Sequence, residues 1–143
     1  MIASKKMVLW SQKFTTGSPN LDYQHQTLID NINQLEQLLQ VTNPSRQDCE
    51  FIIELVDYLE AYADKHFKFE EGCMETYRCP VHAKNKAAHG QFLAFFQQFK
   101  EHNKTVGFRH ELLLELHATI SQWIEGHILQ VDTHLRKCIK GRG

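Results

Sequence analysis

Six side chains with metal-donor atoms recur on the helical stripes of this chain: His25, His66, Glu70, His89, His127 and Asp132. At about 100° per residue, positions four apart stand about 40° apart on one helix face, so the imidazole of His66 and the carboxylate of Glu70 reach a single point. The same spacing relates Asn85 to His89 in "CPVHAKNKAAHGQF". His127 and Asp132 are five apart, about 140° on a regular helix, and a π-bulge between them would bring the two into line. One helical histidine is ordinary. Six polar groups on stripes that should be apolar must be paired or must bind something, and helix bundles build dinuclear carboxylate sites from such side chains.

Converging these groups requires long helices, and the rest of the sequence supplies them. Glycine and proline are scarce, 7 and 3 respectively, and cluster between segments of helical periodicity. The first segment follows "TTGSPN", where Asn20 or Asp22 can cap, and carries Leu21, His25, Leu28, Ile29, Ile32, Leu35 and Leu39 on one stripe. "VTNPSRQD" breaks it. The second places Ile52, Leu55, Val56, Leu59, Ala63, His66, Phe67 and Glu70 inward and ends before Cys79-Pro80. A third opens near Pro80 and buries Phe92, Phe95, Phe96 and Phe99. After "NKTVGF", a fourth runs from about Arg109 to Lys137 with Leu112, Leu116, Ile120, Trp123, His127 and Ile128 inward; His102, His110, His117 and His134 fall near helix ends or on solvent faces. The short connections favour an all-α, up-down-up-down four-helix bundle over residues 20–138. Residues 1–19 form an N-terminal arm anchored by Trp10 and Phe14, and the whole, 1–143, is one domain.

Composition excludes several classes. The 16 Lys+Arg against 17 Asp+Glu leave a net charge of −1 with no long run of either sign, which gives no electrostatic footprint for nucleic acid. No apolar stretch reaches the roughly 18 residues of a membrane span, and "MIASKKMVLW" is too short in apolar residues for a signal peptide. The expectation is a cytoplasmic chain without membrane insertion. Cys49, Cys73, Cys79 and Cys138 show no CxxC pair, so reduced thiols are expected.

These motifs together resemble the hemerythrin family over nearly the whole chain. "DYQH" with His25 looks like the first-helix ligand motif; "HFKFEEGCM" holds HxxxE as His66 and Glu70, followed by Glu71 and Met74; "WIEGHILQVD" holds WxxxHxxxxD as Trp123, His127 and Asp132. The resemblance implies a non-haem di-iron centre with an oxo or hydroxo bridge: His25 and His66 on one iron, His89 and His127 on the other, Glu70 and Asp132 bridging. Trp123 and Ile124, a turn before His127, are placed to border a ligand pocket and keep it dry.

The departure from the family is Asn85, which stands where the family's HxxxH has its first histidine. His82 is a poor substitute, because about 10 Å of helical rise separates it from His89, and an amide oxygen is a weaker donor than imidazole. The expectation is that His89 alone of this helix binds, with Asn85 hydrogen-bonding a water or exogenous ligand. Two imidazoles on each iron would leave both with an exchangeable position, open to dioxygen, nitric oxide, water or anions, and would favour ready autoxidation. That suits a sensor of dioxygen, nitric oxide or redox state more than a store. No further acid or base can be placed near the metals, so the expectation is a binding domain and not an enzyme. A free-standing oxygen carrier, and a di-iron enzyme acting on peroxide or nitric oxide, are the alternatives. The basic end "HLRKCIKGRG" reads either as the start of a linker to a signalling output such as a diguanylate cyclase or as a helix end favoured by the helix dipole.

Overall fold

A computed structural model describes residues 8–106 and 109–140, apart from the side chains of Val106, Val131, Asp132, His134 and Lys140. Helix α1, Pro19–Leu39, starts where Ser18 accepts a hydrogen bond from the Leu21 amide and Pro19 fills the first turn, a placement that suits its fixed φ and missing N–H. The cap is thus Ser18 and not Asn20 or Asp22. The Asp22 carboxylate accepts from the Thr16 amide and hydroxyl at 2.8 and 2.9 Å, tying the arm to the helix. Helix α2, Arg46–Thr76, opens with a reciprocal capping box between Ser45 and Asp48, an arrangement contributing about 1 kcal/mol. It stops at Tyr77, and Arg78 takes a left-handed φ of 52° ahead of Cys79-Pro80. Helix α3 is His82–Val106 and helix α4 is His110–His127.

The expected fourth helix does not run unbroken to Lys137. It passes into a π segment, Ile128–Asp132, and resumes as α5, His134–Lys140. The Thr133 amide reaches back to the Ile128 carbonyl at 3.0 Å, the i to i+5 bond that defines the wider turn.

Each long helix packs against its neighbours in sequence, and α4 closes the ring on α1, giving the up-down-up-down bundle. The apolar core runs from Phe14 through Leu28, Ile32, Leu59, Phe92, Phe96, Ile120 and Ile128. A second, smaller cluster of Leu21, Met74, Cys79 and Leu135 lies where α5 meets the α2–α3 connection. In α4 the buried stripe is Leu113, Leu116, His117, Ile120, Ile124 and His127. Leu112 is only partly covered, and His117, expected on a solvent face, is 1% exposed with the Ser121 hydroxyl 3.3 Å from its Nε2. A stripe begun one residue later turns position 117 inward. The described part of the arm, residues 8–19, packs as expected, with Phe14 fully buried and Trp10 stacked on it at 5.4 Å, while residues 1–7 lie outside the described residues.

The cysteines depart from expectation. Cys79 and Cys138 form a disulfide that fastens α5 to the α2–α3 connection, while Cys49 and Cys73 remain thiols. Spacing in sequence carried no sign of the pair, which is made by the fold. Among the described residues no helix is long and apolar enough to cross a membrane.

Candidate metal centre

The centre is built around Glu70, which α2 carries fully buried in the middle of the bundle. Its Oε2 lies 3.0 Å from His25 Nε2 of α1 and 3.7 Å from His66 Nε2, one turn earlier on α2. Its Oε1 lies 3.0 Å from His89 Nε2 of α3 and accepts from the Asn85 carboxamide nitrogen at 3.0 Å. Two groups of candidate donors result, His25–His66–Glu70 and Glu70–His89–His127, each with its donor atoms within 4.8 Å of one another and all side chains buried. Glu70 belongs to both. Burial by itself would push its carboxyl up, but hydrogen bonds from His25 and His89 and the nearby charges of His25 and His66 outweigh this and hold it well below the ordinary range.

Two outer contacts orient the imidazoles. The Nδ1 of His66 donates to Gln24 Oε1 at 2.6 Å, and the Nδ1 of His89 donates to the Glu71 carboxylate at 2.8 Å. A histidine whose Nδ1–H is taken in this way presents Nε2 to an ion, the arrangement found around metal-ligating histidines. This geometry, with its set of imidazoles about one carboxylate, fits a pair of first-row transition ions.

Aromatic rings wall the α3–α4 side. Phe67 lies flat against His89 with centroids 3.9 Å apart and planes within 8°, and Trp123 stacks on His127 at 4.3 Å. Phe92 stands 4.5 Å from Trp123, and Ile124 is buried beside them. Such a wall excludes water. Asn85, also fully buried, spans the space between Glu70 and His127: its nitrogen donates to Glu70 and to the Met74 sulfur at 3.1 Å, and its Oδ1 accepts from His127 Nε2 at 2.5 Å. Here Asn85 meets two of the chain's own donors, where the sequence suggested a water or exogenous ligand.

The structure thus gathers His25, His66, Glu70, His89, His127 and Asn85. His82, at the first residue of α3, belongs to neither donor group among the described residues. The side chain of Asp132 lies outside the described residues; its backbone position ends the π segment that begins just after His127. Sequence reasoning gave no role to Gln24 or Glu71 and placed Phe67 only as core. Gln24 and Glu71 each adjoin a candidate ligand, about 100° round the helix from it, so no periodicity marks them. Burial and then the charge of Glu70 both raise the pKa of Cys73, one turn past Glu70, and so disfavour its thiolate.

Comparison with known proteins gives a consistent result. Residues 16–139 match the hemerythrin HHE cation binding domain family. The chain is 27% identical to a bacteriohemerythrin of Stenotrophomonas maltophilia (strain R551-3), covering 92% of this chain and 86% of that one. It is 26% identical to a bacteriohemerythrin of Pseudomonas aeruginosa (strain LESB58), covering 87% of this chain and 76% of the other.

Proposed function

We propose, since this chain belongs to the hemerythrin family, that it is a di-iron dioxygen-binding domain whose centre serves sensing. In this reading His25 and His66 hold one iron, His89 and His127 the other, and Glu70 bridges them with Asp132. The observation that carries it is the sharing of one buried carboxylate by two imidazole groups, one oxygen turned to each. The two iron ions would supply the electrons and the open coordination position at which a small ligand such as dioxygen or nitric oxide is taken up. The chain's own residues do the remainder. Gln24 and Glu71 keep the Nδ1 protons of His66 and His89 turned outward, and Phe67, Trp123 and Ile124 keep bulk water from the α3–α4 side.

Asn85 is what favours sensing over storage. For His127 to ligate, its Nε2 must give up the Asn85 oxygen, and the carboxamide is then released beside an iron that lacks a third imidazole. An exchangeable position on each iron leaves a second place at which a ligand other than dioxygen can bind, which shortens the life of an oxygenated form. Binding without turnover is the reading for activity, and a fused output domain is the partner it would report to.

The test is anaerobic reconstitution with ferrous iron, followed by metal analysis and rapid mixing with oxygen. About two irons per chain are expected, with an oxygenated absorption that decays within minutes. One iron or fewer overturns the dinuclear reading. Two irons with an oxygenated form lasting hours assign the domain to storage, and catalytic loss of peroxide or nitric oxide would make it an enzyme.

A further inference from the structure

The shoulder of α2 that borders α1 carries a line of aromatic side chains that the metal centre does not use and of which Tyr62 alone packs against the core. Phe51, Tyr58 and Phe69 are 46%, 50% and 43% exposed, and half-buried Tyr62 stacks on Tyr58 at 5.9 Å while its hydroxyl bonds Thr27 of α1. At about 100° per residue all four fall within about 40° of one another, along about 27 Å of helix. Their spacing is that of the alternating apolar positions of a coiled-coil seam. Exposed Lys65 stands beside the line between Tyr62 and Phe69, and a row of exposed aromatic rings of this kind marks an interaction site.

The order of the residues selects the occupant, because the line reads the same from either end. Laid antiparallel on itself about a twofold axis near its middle, α2 sets Phe51 against the partner's Phe69 and Tyr58 against the partner's Tyr62. The exposed residues just before the Leu55, Tyr62 and Phe69 positions are Glu54, Ala61 and Lys68. In the same register Glu54 meets the partner's Lys68, Lys68 meets the partner's Glu54, and Ala61 meets the partner's Ala61 at the axis, where its small side chain lets the helices approach. A twofold interface requires this self-complementarity. A parallel pairing would leave Glu54 and the partner's Lys68 about 21 Å apart along the axis, and a partner of another sequence would not call for a palindrome. Lys68 contacts Asp64 of its own helix at 3.2 Å, an exposed pair that exchange for Glu54 of another copy costs little.

We propose that the outer shoulder of α2 is a homodimer interface, in which two copies of this chain pair antiparallel through Phe51, Tyr58, Tyr62 and Phe69 with Glu54–Lys68 contacts on the flank. It stands independently of the metal reading. The test is analytical ultracentrifugation of the iron-loaded chain over a wide concentration range. The wild type is expected to dimerise reversibly, and Tyr58→Glu to weaken association by about a hundredfold or more. E54K and K68E alone are each expected to weaken it about tenfold, and E54K/K68E together to restore it, because the exchanged charges again match. Exposed positions and unchanged circular dichroism separate these effects from misfolding. A wild type that stays monomeric throughout, a dimer indifferent to E54K and K68E, or a double variant that fails to recover each overturns the proposal.

Discussion

The α1–α2 and α3–α4 halves of the centre each hold two imidazoles, yet they meet Glu70 differently. In the first, His25 and His66 both face the same oxygen, Oε2, with no side chain between. In the second only His89 reaches Glu70, and Asn85 stands between the carboxylate and His127. In both halves the two imidazoles meet edge to face, His25 and His66 with centroids 4.6 Å apart and His89 and His127 with centroids 5.1 Å apart. In the second, each imidazole is in addition stacked flat by a larger aromatic ring, His89 by Phe67 and His127 by Trp123, whereas in the first Phe67 meets His66 only at a tilt, 5.7 Å away. One half is therefore a compact donor group, and the other is a donor group with a carboxamide wedge and a dry wall. Equal ligand number does not make equal chemistry: small-ligand selectivity is expected to reside with α3 and α4.

The largest effect should come from the residue the halves share. Glu70→Gln keeps volume and shape but removes the only carboxylate common to both donor groups of the described residues. Reconstituted iron is expected to fall from about two per chain to nearly none, since both sites lose a charged oxygen donor. Retention of one iron would show the halves to be independent, and circular dichroism of the metal-free protein would show that the bundle persists. Next in size is Asn85→His, which replaces the wedge by a third imidazole and makes the halves unequal in donors. It is expected to close the position on that iron and lengthen the life of the oxygenated form about tenfold or more. An unchanged lifetime would dissociate Asn85 from autoxidation.

The first half was the more legible in sequence. His66 and Glu70 sit four apart on α2, and four-residue spacing on a helix implies a shared face whatever packs against it. His25 entered through the α1 stripe in the same way. Legibility fell on α4, where a buried stripe of leucines admits two registers one residue apart; choosing Leu112 over Leu113 left His117 outside. It fell further where contacts join elements remote in sequence. Neither the Cys79–Cys138 disulfide nor the Gln24–His66 and Glu71–His89 pairs follow any period, because the angles between packed helices set them. The π turn was legible for a physical reason: five residues between two candidate ligands is the wrong count for an α-helix, and a wider turn is the remedy.

The smallest effect is a pH dependence, and it discriminates between the halves without metal. Burial pushes the Glu70 carboxyl up, but hydrogen bonds from both His25 and His89 and the charges of His25 and His66 hold it below its ordinary range. A carboxyl lowered in the folded state binds its proton less readily there than in the unfolded chain. The stability it contributes is present above the unfolded value, about 4.3, and is lost as pH falls through the folded value. Acid titration of the metal-free protein, followed by circular dichroism in a fixed low concentration of urea, should therefore show loss of structure below about pH 4. His25→Asn and His89→Asn should each move that loss to higher pH by weakening the hold on the carboxylate. His25→Asn leaves His66 facing the same carboxylate oxygen at 3.7 Å, whereas His89→Asn leaves Oε1 with the neutral Asn85 carboxamide at 3.0 Å, so the two shifts are expected to differ. Equal shifts would mean that the carboxylate treats its two oxygens alike in the absence of metal, and that the difference between the halves begins only with Asn85 and the rings around it.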